Sequence, residues 1–231
     1  MNNLFMNSVF AGVTLSLVTY FIGVFLKKKL KLGLFNPLLI SIVLSIIVLL
    51  VGHVDYEVYN EGAKYLSYLL TPATVCLAIP LYEQWLLLKK HFLAVFLGIL
   101  AGVLTSLLTV FVLAKGFGLS HKEYVTLLPK SITTAIGIGV SEELGGYVTI
   151  TVAVIIITGV VGNMIGELVC KIFRITEPIS KGLAFGASSH AIGTAKAIEL
   201  GEVEGAMSGL AIAVSGILTV CLVPFVANWI G

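Results

Sequence analysis

The sequence predicts an all-α polytopic membrane protein, with about six full spans plus two Gly/Ser-rich re-entrant or broken helices arranged as inverted repeats. Three observations carry this. Hydrophobic residues make up 58% of the 231 and charged residues 11%, whereas a soluble domain needs roughly 25% charged residues to cover itself. Mean hydropathy is +1.07, concentrated in stretches close to the ~20 helical residues that cross a ~30 Å hydrocarbon core. Finally, one short pattern occurs twice, 56 residues apart: Ala135-Ile136-Gly137 with Glu143-Leu144-Gly145, then Ala191-Ile192-Gly193 with Glu199-Leu200-Gly201. Duplicated units of this kind let a transporter build one site from two halves.

The expected spans, in chain order, are residues 5–26, 35–51, 63–88, 92–114, 147–170 and 205–229, the second of them short. Lys27, Lys28, Lys29 and Lys31 follow the first, Lys89 and Lys90 the third, and Lys171, Arg174 and Lys181 the fifth. Cationic loops stay in the cytoplasm, so these three should lie inside. Residues 53–64, with Asp55, Glu57 and Glu61, should lie outside, as should the N-terminus. The opening MNNLFMNSV lacks a basic n-region, and no small-residue cleavage site follows, so a removed signal peptide is not expected. In the third span Thr71-Pro72 and Pro80 each remove a backbone donor, which predicts a kink or break.

Two segments remain, 123–146 and 181–202. The fourth span should run outward and the fifth inward, so a full crossing by 123–146 would break the charge rule. Each segment is therefore expected to dip in and return, the first from outside and the second from inside. Each unit then contributes one crossing, which makes the two copies inverted. The organisation expected is an N-terminal scaffold, 1–115, and a core, 116–231, holding hairpin-plus-span units 121–172 and 180–230. Pro129-Lys130-Ser131-Ile132-Thr133-Thr134 and Gly186-Ala187-Ser188-Ser189-His190 read as the unwound stretches, with Ser188 or Ser189 as N-cap.

Half-helix N-termini entering from opposite faces would aim partial positive charge at one point, where a small carboxylate is stabilised. Candidate binding residues are Lys130, Ser131, Thr133 and Thr134 from one hairpin and Ser188, Ser189, His190, Thr194 and Lys196 from the other. An ionisable group inside a membrane is costly and usually functional, which singles out Lys130 and Lys196. The bland alternative for Lys196 is a pair with Glu199 at i+3. His190 either carries a coupled proton or braces its hairpin. Asn163, beside Gly159, Gly162 and Gly166 on the fifth span, is placed to support the site, whereas Glu167 reads as solvated. Glu142, Glu143, Glu202 and Glu204 should be interfacial. Cys76, Cys170 and Cys221 lack metal or redox spacing and read as small buried hydrophobes. No metal, cofactor or nucleic acid is expected. No paired carboxylates or known dyad suggest an enzyme.

Three strings, LLTPATVCLAIPLY at 69–82, LLPKSITTAIGIGVSEELGG at 127–146 and ISKGLAFGASSHAIGTAKAIELGEVEGAMSGLA at 179–211, resemble the LrgB/CidB family of bacterial membrane proteins. The resemblance runs across essentially the whole chain, and PKSITTAIG and ASSHAIGTAKA sit closer to its CidB side. It implies a multi-pass protein of the bacterial cytoplasmic membrane, often working with a small LrgA/CidA-type partner. Family functions range from a plastid glycolate/glycerate translocator to pyruvate uptake and to holin/antiholin-like control of murein hydrolases and lysis. The first expectation is therefore a secondary transporter of small monocarboxylates of the glycolate, glycerate, pyruvate or lactate type, working as a homo-oligomer. The alternative is an antiholin-like pore-forming or regulatory protein. Wide pores need spans polar along one whole stripe, whereas the polar residues here gather in two hairpins.

Overall fold

The computed structural model describes residues 8, 10–30, 36–69, 72, 75, 76 and 78–230, and among them every regular element is helical. Contacts divide the chain into two units, Met1–Cys76 and Leu77–Gly231. The division falls before the fourth expected span, not at residue 115, because that span packs with the C-terminal helices.

The first unit holds α1 (Ala11–Leu30), α2 (Pro37–Val51) and α3 (Tyr56–Ser67). Helix α1 runs on through Lys27–Lys29, charges that suit the negative end of a helix dipole. Asn36 caps α2, its side-chain oxygen accepting from Leu38 N at 2.8 Å, with Pro37 at the first helical position. Helix α2 has 15 residues, too few to cross a full-thickness bilayer untilted. Gly12 lets α1 approach the α3 backbone at Tyr59 and Ala63, and a hydroxyl ladder from Ser16 to Tyr59 and from Thr19 to Ser41 and Ser45 ties the three helices.

The expected span 63–88 is not one helix. Helix α3 stops at Ser67, α4 (Ala78–Glu83) follows, and a new helix starts at Trp85. Pro72 and Pro80 each lack the donor a continuous helix needs; Pro80 lies within α4, and Thr71 lies outside the described residues. Four of the described helices are long and apolar enough to span a membrane: α1, α5 (Trp85–Phe117), α8 (Val148–Ile172) and α10 (Glu202–Ala227).

In the second unit, α5 buries one stripe, Val95, Ile99, Val103, Leu107, Val110 and Ala114, in the main core. It kinks at His91, just past Lys89 and Lys90. Then comes the duplication. Helices α6 (His121–Leu127) and α7 (Thr134–Glu143) flank an irregular stretch and lead into α8; α9 (Pro178–Leu200), broken at His190, leads into α10. The equivalence extends to packing: a Cβ on Gly137 would sit 3.6 Å from Pro129, and one on Gly193 2.7 Å from Phe185 O, both pairs matching at the 56-residue offset.

The breaks differ in form. The first covers residues 128–133, one residue earlier than the expected 129–134, because Thr134 already belongs to α7. In the second, helix continues through Gly186–Ser189 and only His190 departs, at φ 44° and ψ −140°. Ser188 and Ser189 therefore end the incoming half-helix rather than cap the outgoing one. Ser188 Oγ donates to Ala184 O at 2.6 Å, as hydroxyls do inside helices.

Candidate functional site

Two cavities, of about 640 and 470 Å³, open where the two breaks meet. Lys130, Val169, Ala184 and Ser188 line both. The larger adds Thr105, Ser106 and Thr109 from α5, Ser131 from the first break and Ser180 from α9; the smaller adds Ser189 and the Gly162–Gly166 face of α8. Lys130 Nζ donates to Ser131 Oγ at 2.9 Å, and Ser131 Oγ lies 3.0 Å from Ser106 Oγ. Neither lining contains Asp or Glu among the described residues. A single ammonium surrounded by hydroxyls and no carboxylate is a place for one negative charge with neighbouring oxygens, because a poorly solvated cation without a counter-ion is costly.

The wall facing this lysine is held by close backbone contact. Along α8, Gly159 opposes the His190 ring, Gly162 opposes Ser189 and Gly166 opposes Phe185. Along α9, Gly182 and Gly186 meet the α10 backbone at Glu204 and Ser208. Such small-residue faces let membrane helices pack backbone to backbone.

His190 is 3% exposed, and its Nε2–H donates to Ile155 O at 2.9 Å. Asn163 Nδ2 donates to Ile192 O at 2.7 Å, and Thr194 Oγ1 joins His190 O at 3.0 Å and Ser208 Oγ at 2.7 Å. A non-glycine residue at positive φ costs of order 1–3 kcal/mol and persists only where its surroundings fix it; these four bonds supply that fixation around the break.

Of the ten expected site residues, Lys130, Ser131, Ser188 and Ser189 come together on the cavity walls. His190, Thr194 and Asn163 stand behind that wall as its brace, and Thr133 and Thr134 sit half-buried at the start of α7, off both linings. Lys196 also lies off both linings: its Nζ is 3.1 Å from Glu167 Oε2 and 3.4 Å from Glu199 Oε2. Glu167 is thus shared between Lys196 and Lys171, the latter at 2.9 Å, instead of being merely solvated. Glu204, expected at the interface, is buried with its carboxylate over Gly201 at the N-terminus of α10, where the helix dipole favours an anion. Cys170 is buried, whereas Cys76 and Cys221 are exposed.

The hydroxyls of α5 escaped the sequence reading because they sit in an uninterrupted apolar span. A signal existed: Gly98, Gly102, Thr105, Ser106 and Thr109 follow 3.6-residue periodicity and form one small, polar face.

Fold and site together define a multi-pass α-helical membrane protein in which a duplicated broken-helix motif encloses a small cationic cavity. The chain belongs to the LrgB-like family, whose profile matches residues 16–229. Similar proteins include antiholin-like protein LrgB of Bacillus cereus, strains B4264 and AH187, and of Bacillus anthracis, strain CDC 684 / NRRL 3495. Each is 42% identical over 221 residues, covering 95% of this chain and 96% of the relative. No solved structure matches.

Proposed function

We propose that the protein has an antiholin-like role in a bacterial cytoplasmic membrane, beside a small LrgA/CidA-type partner and as a homo-oligomer. In this proposal its molecular act is the passage of a small monocarboxylate through the cavity at Lys130. The name of the relatives supports the regulatory role more directly than it supports carriage. Carriage rests on a single observation: one ammonium at the junction of both breaks, ringed by hydroxyls of three elements and by no acid among the described residues.

In this reading the units 121–172 and 180–230 are inverted, so that their half-helices approach the cavity from opposite leaflets. Lys130 neutralises the carboxylate, while Ser131, Ser188 and the α5 hydroxyls accept or donate to a neighbouring hydroxyl or keto oxygen. Coupling to a proton falls to His190, whose Nδ1 is the ring nitrogen left when Nε2–H holds the Ile155 carbonyl. No bond is made or broken in the solute.

Purified protein in liposomes separates the readings. Saturable uptake of labelled pyruvate or glycolate, with calcein retained, is the expected result. Release of calcein would instead establish a wide, holin-like lesion. Calcein retention with no uptake of the labelled acid would remove carriage and leave regulation by contact with the partner.

A further inference from the structure

A third cavity, of about 410 Å³, lies at the far end of α8 and shares Cys170 and Ile175 with the smaller of the two cavities at Lys130. Its lining is Glu167, Cys170, Lys171, Arg174, Ile175, Thr176, Lys181 and Leu200. Three cations face one carboxylate, and Glu167 is already shared by Lys171 and Lys196. Among the described residues Arg174 and Lys181 have no acidic partner.

Arg174 is one of three non-glycine residues at positive φ among the described residues. Helix α8 ends with Ile175 N–H donating to Cys170 O at 2.8 Å and Arg174 N–H donating to Lys171 O at 3.2 Å, the paired bonds of a Schellman turn. The residue at its bend must take positive φ, and Arg174 does so at 55°. Helices α2, α5 and α7 close with the same paired bonds; α5 and α7 place Gly118 and Gly145 at the bend, at φ 66° and 71°, and α2 places His53 there, at φ 46°. Glycine adopts this conformation freely and arginine does not. The turn alone thus gives no reason for arginine; the cavity beside it gives one.

Arginine's fork pairs with two oxygens of one phosphate, Lys181 adds a point charge, and Cys170, Ile175 and Leu200 offer an apolar floor for an organic part. Ile172 and Phe173, 65% and 72% exposed, mark the edge of the apolar belt, and the excess of lysine and arginine assigns this end to the cytoplasm. Basic pockets in such positions take anionic headgroups. We propose that this cavity binds a phosphate ester, with its oxygens on Arg174 and Lys181. The ester is either the headgroup of an anionic phospholipid or a soluble organic phosphate. The proposal does not rest on carriage at Lys130: Arg174 and Lys181 line this cavity and neither of the other two.

Arg174→Gly is the decisive variant, because it keeps the turn, removes the positive-φ penalty and deletes the fork; Lys181→Gln is the second. Binding would be read by native mass spectrometry of the full chain with phosphatidylglycerol against phosphatidylcholine, and by thermal shift with glycerol 3-phosphate against chloride. The expected result is a preference for one anionic probe, weakened roughly fivefold by either variant, the loss appropriate to one cation near a membrane surface. A response to phosphatidylglycerol alone identifies a lipid site, and a response to glycerol 3-phosphate identifies a soluble ligand. Absence of any preference, or a preference unchanged in both variants, overturns the proposal.

Discussion

Replacing Lys130 with Met is the sharpest perturbation of the candidate site. Methionine keeps most of the aliphatic length but deletes the ammonium and its 2.9 Å bond to Ser131 Oγ. Ser131 retains Ser106 at 3.0 Å, so the first break keeps a hydrogen bond and does not unravel by loss of the lysine. What disappears is the charge-assisted contact to a bound carboxylate, about 1.5–3 kcal/mol, equivalent to a ~10- to ~150-fold rise in the concentration that half-saturates uptake. The measurement is labelled-pyruvate uptake into liposomes as a function of concentration, with Lys196→Gln alongside. Lys196 is engaged by Glu167 and Glu199, off the cavity wall, so its variant should leave half-saturation within about twofold. An unchanged half-saturation in Lys130→Met, or a shift confined to Lys196→Gln, would refute the placement of the anion.

Further outcomes follow from contacts elsewhere in the second unit. Gly162→Ala would place a methyl 2.7 Å from Ser189 Cβ, so it should lower the melting temperature in detergent by an amount matching the ~1–3 kcal/mol cost of overpacking. Gly139→Ala, with nothing within 4 Å, should raise it slightly by restricting the unfolded chain. Glu167→Gln should free Lys196 from its tie to α8, and because the carboxylate is 38% exposed the loss should stay below ~1 kcal/mol by chemical denaturation. At the mouth of the first hairpin, Ser120 N–H and Oγ both donate to Glu123 at 2.8 Å and hold its carboxyl below the ordinary range. A depressed carboxyl stabilises the fold above its unfolded value, ~4.3, and the gain fades as pH falls through the folded one. Thermal stability of the wild type should therefore decline more than that of Glu123→Gln on acidification below that point.

Much of this was legible in the sequence because it depends on local rules. The offset of 56 residues located both broken elements, and Pro129 with its polar neighbours located the first break. Gly159, Gly162 and Gly166 were recognisable as a face for close approach, and they meet Phe185, Ser189 and His190. What local rules could not give was the role of each polar residue. Lys196 and Lys130 have similar surroundings in the sequence, and only the position of Glu167, 29 residues before Lys196, draws one of them off the cavity. The second break was placed a few residues early because Gly186, Ser188 and Ser189 look like helix breakers, yet Gly186 serves to approach Ser208. The strain sits on His190 alone, the last residue of the expected stretch.

The cavity walls are unequal, and the inequality bears on how any solute could pass. Helix α9 is fixed on two sides by glycine contacts at which no Cβ could be accommodated without a shift, and its break is braced by Ile155 O, Asn163 and Ser208. Against α5 the same helix is only in ordinary contact, a Cβ on Gly98 or Gly102 standing 3.4 Å from Leu183 or Ala187. The larger cavity lies along this softer seam, lined on the α5 side by Gly98, Gly102, Thr105, Ser106 and Thr109. Interdigitated backbone contacts resist sliding because every atom must move at once, whereas contacts at van der Waals distance separate at small cost per atom. Away from this seam α5 is held by its buried stripe, Val95, Ile99, Val103 and Leu107, and by the Ser106–Ser131 bond to the first break, so any widening there would have to be local to the glycine and hydroxyl face. The face of α5 that lines this seam is the polar one that the sequence concealed within an apolar span.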